Sequence, residues 1–298
     1  MNNKKKQLAE IYGFEFPDTF FTFWDFVNQV GENLLSETLG IWLTGPFDVL
    51  KPDYDPNINP IWESRYYNDP PEFFTIMRGW CDGWHWGYYL DDPKNSQFLV
   101  ASYYHNDAYQ MSVNGFNIFE AVRECLEYYH RDCVWDIKQY PDQVEDTEKQ
   151  MKTLSILREK IKKYYTSDRP EIGEEYLDKY DLWEARNKVI AATTRNNMGI
   201  VVPDGLYKPL SGENNFQIWN YEPTAKEVQQ YANKAKKALK EGYPGTALKL
   251  GHDLWVYWEY FDTTYELLDM AYEALGRDLL RKMLKHAKEY RNYCDSPR

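Results

Sequence analysis

Residues 68–93 read NDPPEFFTIMRGWCDGWHWGYYLDDP, and this stretch sets the fold class. Pro70 and Pro71 lack a backbone donor and fix φ, so the chain enters a sheet only after them. Phe73 to Met77 is a short apolar run, Asp82-Gly83 is a strong hairpin-turn signal, and His85 to Leu90 is the returning strand, closed by Asp91-Asp92-Pro93. Further on, Phe98 to Tyr104 and Tyr109 to Val113 repeat the pattern across His105-Asn106-Asp107. The expected product is an antiparallel meander of at least four strands. One face needs a cover, because a sheet with this much aromatic surface cannot leave both sides in water.

Candidate covers lie on either side. Asp18 is a good N-cap for a helix carrying Phe20, Phe21, Phe23, Trp24, Phe26 and Val27 at spacings of three and four. Phe119, Val122, Leu126 and Tyr129 stand at helical spacing within Phe116 to His130. A short helix over residues 4–12, a strand at Leu39 to Leu43 and a Pro/Asn/Asp-rich loop after Leu50 complete an α+β unit over residues 1–134. Residues 136–148, polar and acidic with Pro141, read as a linker. Beyond it the spacing predicts helices over 149–165 and 171–188, an isolated strand at Met198 to Pro203, then helices over 224–241, 245–261, 263–275 and 278–291. Gly242 is well placed to cap the first of these four. Residues 135–298 are therefore expected to form a mainly helical C-terminal domain.

The chain of 298 residues carries a net charge of -12 and is 17% aromatic. Residues 1–134 hold 9 Lys and Arg against 20 Asp and Glu, so the acidity belongs to the first part. Such a surface disfavours unassisted phosphate-backbone binding, and it reads as a solvated acidic face before it reads as a docking face for a basic protein partner. The basic final helix, with Arg277, Arg281, Lys282, Lys285, Lys288 and Arg291, reads as a solvated face before it reads as a nucleic-acid surface. No apolar run approaches the length needed to cross a bilayer, and no secretory signal opens the chain. A soluble intracellular protein is expected, nuclear in a eukaryote and cytoplasmic in a bacterium.

Cys81, Cys125, Cys133 and Cys294 make no CxxC pair and no zinc spacing with the histidines, so free thiols and no metal are expected. His85 and His105 read as packing or surface residues. GxGxxG after a strand, a P-loop, GxSxG and HExxH are all missing, so an independent enzyme has no motif behind it.

Residues 13–26, GFEFPDTFFTFWDF, followed by a sheet and a covering helix, resemble the SMI1/KNR4 (SUKH) fold. More specific are LGIWLTGPFDVL at 39–50, RYYNDPPEF at 65–73, Gly87-Tyr88 with Asp92-Pro93, FEAV at 119–122, GIVVP at 199–203 and LGHDLW at 250–255. In this order they resemble the histone PARylation factor family over nearly the whole chain. The resemblance implies an accessory factor that is no enzyme by itself and binds no cofactor of its own. It would dock on a poly(ADP-ribose) polymerase and lend a glutamate to the shared site, so that the partner's NAD is used to modify serine hydroxyls of proteins such as histones.

Counting back from the LGHDLW motif, the resemblance puts that glutamate at Glu241. A serine hydroxyl attacking a ribose carbon needs a base, and the negative end of a helix dipole at Glu241 would favour proton uptake. The family has an aspartate where this chain has Lys240, and a docking arginine where it has Lys208, next to a retained Tyr207. Lysine keeps the charge and loses the planar fork. Tyr207, Lys208, Lys240 and Asp253 are thus the expected partner-binding residues, with Asp253 reading as a helix-packing residue as readily as a functional one. DNA targeting would come from the partner, with no sequence-specific nucleic-acid contact here. The alternative is a SUKH-type immunity protein whose acidic first domain neutralises a basic toxin.

Overall fold

The strands are β1 (Trp42–Leu43), β2 (Phe73–Arg78), β3 (Trp84–Tyr89), β4 (Leu99–Tyr104) and β5 (Ala108–Gly115), and they form one antiparallel sheet in the order β1-β2-β3-β4-β5. This computed structural model describes residues 2–94, 98–106, 108–142, 144–166, 169–178, 182–218 and 220–295, except the side chains of 2, 108 and 292–295. The expectation for the Cys294 thiol lies outside the described side chains. Cys81, Cys125 and Cys133 are free thiols.

The hairpin turn forms at Asp82-Gly83, as the dipeptide predicts. Asp82 (φ 49°) and Gly83 (φ 67°) both take positive φ, and the Trp84 N–H donates to the Cys81 carbonyl at 2.8 Å. That is the mirror-image turn whose twist matches the flanking strands. It sets the register Arg78 opposite His85 and Phe73 opposite Tyr89, with a bulge between Thr75 and Met77.

Helices α1 (Asn2–Tyr12), α2 (Asp18–Val30), α3 (Glu32–Leu39), α4 (Pro46–Leu50) and α5 (Pro60–Ser64) come before β2, and α6 (Ile118–Gln139) follows β5. Phe20 stacks on Phe47 at 4.3 Å, and Phe23 meets Phe119 edge-on at 5.0 Å, so α2, α4 and α6 close over one face of the sheet. The other face is covered too. Phe73, Tyr89, Leu99, Tyr103 and Met111 form a cluster with Leu182 and Met198 from the second half of the chain. Both faces need cover because β2 and β3 are buried at almost every position, so no alternation leaves a polar side.

The second half comprises α7 (Val144–Lys162), α8 (Glu174–Asp178), α9 (Leu182–Asn187), α10 (Ala225–Lys240), α11 (Pro244–Leu254), α12 (Phe261–Ala274) and α13 (Asp278–Asp295). Several boundaries differ from expectation. The expected linker 136–148 is mostly helix: α6 runs on to Gln139, and α7 starts at Val144, where Glu145 and Asp146 suit a helix N-terminus. Gly173 precedes a short α8, so the helix expected over 171–188 is broken into pieces. Met198 to Pro203 makes a single bridge, Ala192 to Ile200, instead of a strand.

One apolar cluster runs from Leu8 and Phe20 through Phe119 and Leu157 to Leu250 and Leu284, so the sheet-bearing and helical parts share a core. Buried polar contacts pin them together. Glu72 accepts from the Tyr272 hydroxyl at 2.6 Å and lies 3.0 Å from His252 Nε2; Trp255 Nε1 donates to the Asn68 carbonyl at 2.7 Å; Arg186 Nη2 donates to Asp91 at 2.7 Å. Backbone groups along the sheet margins are also engaged. Arg65 Nη1 donates to the Phe73 carbonyl at 2.7 Å, the Thr44 N–H to the Ile76 carbonyl at 3.1 Å, and the Met111 N–H to the Asn196 carbonyl at 3.0 Å.

Candidate functional site

The site is the corner between α10 and α11. Thr224 starts α10 with a capping box: its hydroxyl accepts from the Glu227 N–H at 3.3 Å, and Glu227 accepts from the Thr224 N–H at 2.9 Å. At the other end Glu241 is the C-cap, and Gly242 takes φ 97°. The Gly242 N–H donates to the Leu239 carbonyl at 3.0 Å and the Tyr243 N–H to the Ala238 carbonyl at 2.9 Å. This pair of bonds is the Schellman closure, which needs the left-handed residue that glycine supplies. Pro244 then opens α11, all eleven residues of which are buried.

A second strip of chain is laid against this corner. The Gly245 N–H donates to the Leu206 carbonyl at 2.9 Å, and a Cβ on Gly245 would sit only 2.9 Å from that same oxygen. Glycine at 245 therefore permits the contact. The Thr246 hydroxyl donates to the Lys208 carbonyl at 2.7 Å and accepts from the Lys208 N–H at 3.1 Å. The Tyr207 hydroxyl donates to Glu213, which also accepts from the Leu210 N–H at 3.0 Å. Burial and the neighbouring Glu213 carboxylate push the Tyr207 phenol well above its ordinary value, so it stays a donor.

These fixings bring Lys208 Nζ to 3.4 Å from Glu241 Oε2, and Lys237 Nζ stands 3.9 Å from Oε1. Lys208 also lies over the Tyr243 ring, 5.2 Å from its centroid. The Glu241 side chain is 42% exposed. Its electrostatic setting is more mixed than the C-terminal end of α10 alone implies: the N-terminal end of α11 begins three residues later with the opposite sign, and two lysines flank the carboxylate. The side chains touching it are lysines, so a second reactant has to be brought to it.

Among the described residues, no group of three or more His, Cys, Asp and Glu could hold a metal ion. His85 Nε2 lies 2.9 Å from buried Asp69, and His105 packs on Tyr66 and Tyr67. No helix among the described residues is long and apolar enough to cross a membrane.

A family model described as histone PARylation factor 1 matches residues 3–291. The chain belongs to that family. Histone PARylation factor 1 of Danio rerio is 28% identical over 309 residues, which cover 94% of this chain and 84% of the relative. The Mus musculus protein of the same name is 26% identical, covering 94% and 85%, and a Homo sapiens protein named putative histone PARylation factor 1-like is 25% identical, covering 94% and 84%.

Of the residues that family resemblance singled out, Tyr207, Lys208 and Glu241 meet at the corner, and exposed Lys240 lies one residue before Glu241. Asp253 does not reach the surface. It is fully buried, 2.6 Å from Lys249 Nζ and accepting from the Arg195 N–H at 2.8 Å. Burial raises its carboxyl and Lys249 only partly opposes that shift. Lys249 in turn lies 3.9 Å from Glu213, so Asp253 reaches Tyr207 only through a buried chain of contacts. Sequence reasoning missed Glu213, Thr246 and Lys249, which hold the Tyr207-Lys208 strip in place. No local pattern marks them as a group, because Thr246 and its partner Lys208 are 38 residues apart. Lys237 was readable, being four residues before Glu241 on one helix. The basic helix α13 is largely spent internally: Arg277 donates to the Val201 carbonyl, Arg281 pairs with Asp269, and Arg291 is buried against Trp255 and Phe261. Lys282 and Lys285 stay exposed.

Proposed function

We propose that this chain is an accessory factor for protein ADP-ribosylation, docking on a poly(ADP-ribose) polymerase through the surface around Tyr207 and Lys208 and lending Glu241 as general base. The relatives carry the name histone PARylation factor, and the juxtaposition of Lys208 and Glu241 on one rigid corner is the observation that carries the finer reading. In the shared site the partner holds NAD. A serine oxygen attacks the ribose carbon that bears nicotinamide, the carbon–nitrogen bond breaks, nicotinamide leaves, and Glu241 takes the serine proton. The chain needs no cofactor of its own for this role. Histones and other serine-bearing proteins are the substrates, and the work belongs in the nucleus. Asp253 and Lys240 serve this surface indirectly, Asp253 by anchoring the strip from beneath and Lys240 by its charge beside the base. The toxin-neutralising alternative asked only for the first 134 residues, whereas the family match takes in both halves.

The test is transfer of labelled NAD onto a serine peptide by a poly(ADP-ribose) polymerase, with and without this protein. Serine modification should need both proteins and vanish in Glu241→Ala, while polymerase binding persists. Lys208→Ala should weaken binding. Full serine transfer by Glu241→Ala would remove the general-base role.

A further inference from the structure

Glu241 is met by positive charge from two separate elements. From α10 come Lys237, with Nζ 3.9 Å from Oε1, and exposed Lys240, the residue before the carboxylate; from the strip laid against the corner comes Lys208, with Nζ 3.4 Å from Oε2. Basic residues in the last turn suit the end of a helix, which accounts for Lys237 and Lys240. It does not account for Lys208, which lies 33 positions away along the chain. Two acids of the surrounding elements are spent elsewhere: Glu213 is buried and bonded to Tyr207 and the Leu210 N–H, and Glu266 pairs with Lys236 at 2.7 Å. One carboxylate thus stands beside three lysines, on a chain whose net charge is -12.

The two carboxylate oxygens divide these neighbours. Oε2 faces Lys208 on the strip, and Oε1 faces Lys237 on α10. A hydroxyl that gives its proton to Glu241 has to come within about 3 Å of one of them. Consecutive Cα atoms are about 3.8 Å apart, so the residues beside such a serine come within reach of an ammonium group standing 3.9 Å from Oε1. The Lys237 side chain is 80% exposed, and its long stem lets the charge follow a neighbour in the substrate. An acidic neighbour is attracted there and a basic one repelled. Water keeps each such contact weak, so its effect is selection between sequences and not a source of rate.

We propose that Lys237 is a specificity-determining residue, through which the site prefers a serine with an acidic neighbour to one with a basic neighbour. The preference rests on the reading of Glu241 as the serine base and adds the sequence class of the substrate. Lys208 serves the docked partner, and Lys237 the incoming chain.

The test is labelled-NAD transfer by a poly(ADP-ribose) polymerase and the full chain onto three peptides that differ only in the residues flanking one serine: aspartate, alanine or lysine. Only transfer that needs this chain is counted, and polymerase binding is measured in parallel. The readout is the ratio of kcat/KM for the aspartate peptide to that for the lysine peptide, from which common changes in docking or base strength cancel. With the parent chain that ratio should be roughly tenfold, the sum of one exposed attraction and one exposed repulsion. It should fall severalfold in Lys237→Gln and turn over in favour of lysine in Lys237→Glu. Salt raised to about 1 M, where the screening length is ~3 Å, should shrink it. A ratio near one, a parent preference for lysine, or a ratio unmoved by Lys237→Glu would overturn the proposal and leave Glu241 as the base. No transfer onto any of the three peptides, with the polymerase bound, would remove the base reading and this preference with it.

Discussion

Single residues carry charges whose settings the sequence only partly discloses. Burial pushes the Glu124 carboxyl up to about 8, with the Asn114 amide opposing the shift. A carboxyl raised in the folded state binds its proton more tightly there, so stability falls as pH rises from the ordinary value of ~4.3 toward about 8. Glu124→Gln removes that loss. Its stability relative to the parent should therefore improve between pH 5 and pH 9 by a few kcal/mol at most, read from urea midpoints; an unchanged difference would mean the carboxyl is not buried in solution. Lys208 and Glu241 behave otherwise, because an exposed pair is worth only ~0–1 kcal/mol to folding. Changes there should leave stability alone and appear in partner assays. Motif order is enough to locate Glu241 and Lys208. It does not disclose that Asp253, directly after His252, is walled in by Lys249 and by the Arg195 backbone, the second of them 58 positions away.

At the scale of elements, the hairpin, the meander and three of the four late helices are legible, because turn dipeptides and apolar spacing act locally, whereas the helix expected over 245–261 stops at Leu254 and α12 begins at Phe261. The linker and the helix over 171–188 are not, for the opposite reason. Part of the polar stretch 136–148 is helical because α7 buries Leu154, Leu157 and Ile161, a tertiary gain that composition does not show. The α10–α11 corner offers a direct test. Nothing lies within 4 Å of a Cβ added at Gly242, so Gly242→Ala meets no clash and suffers only from its φ of 97°. Denaturant unfolding should show a loss of about 1–2 kcal/mol. A neutral substitution would mean that the Schellman closure does not hold in solution.

The whole molecule is joined across its two parts by one core and by buried polar pins, so unfolding should be a single cooperative transition. Two separated calorimetric peaks would contradict this. Acid should act on a second buried group. Burial works against the charge of Asp69, but His85, Arg65 and the Tyr103 hydroxyl override it and hold the carboxyl at about 2. A depressed carboxyl stabilises the fold above its unfolded value of ~3.9, and that contribution is lost as pH falls from there through about 2. Asp69→Asn should flatten the stability profile in that window, measured by unfolding midpoints from pH 5 to pH 2.

The sheet margins have a consequence for handling the protein at high concentration. Strand β1 is two residues long, and backbone groups at Phe73, Ile76 and Met111 are already bonded to Arg65, Thr44 and Asn196. A stray strand from another molecule therefore finds the margin of β2 beside the short β1 already taken and the edge of β5 interrupted at Met111, which hinders edge-to-edge polymerisation of the aromatic-rich sheet at those points.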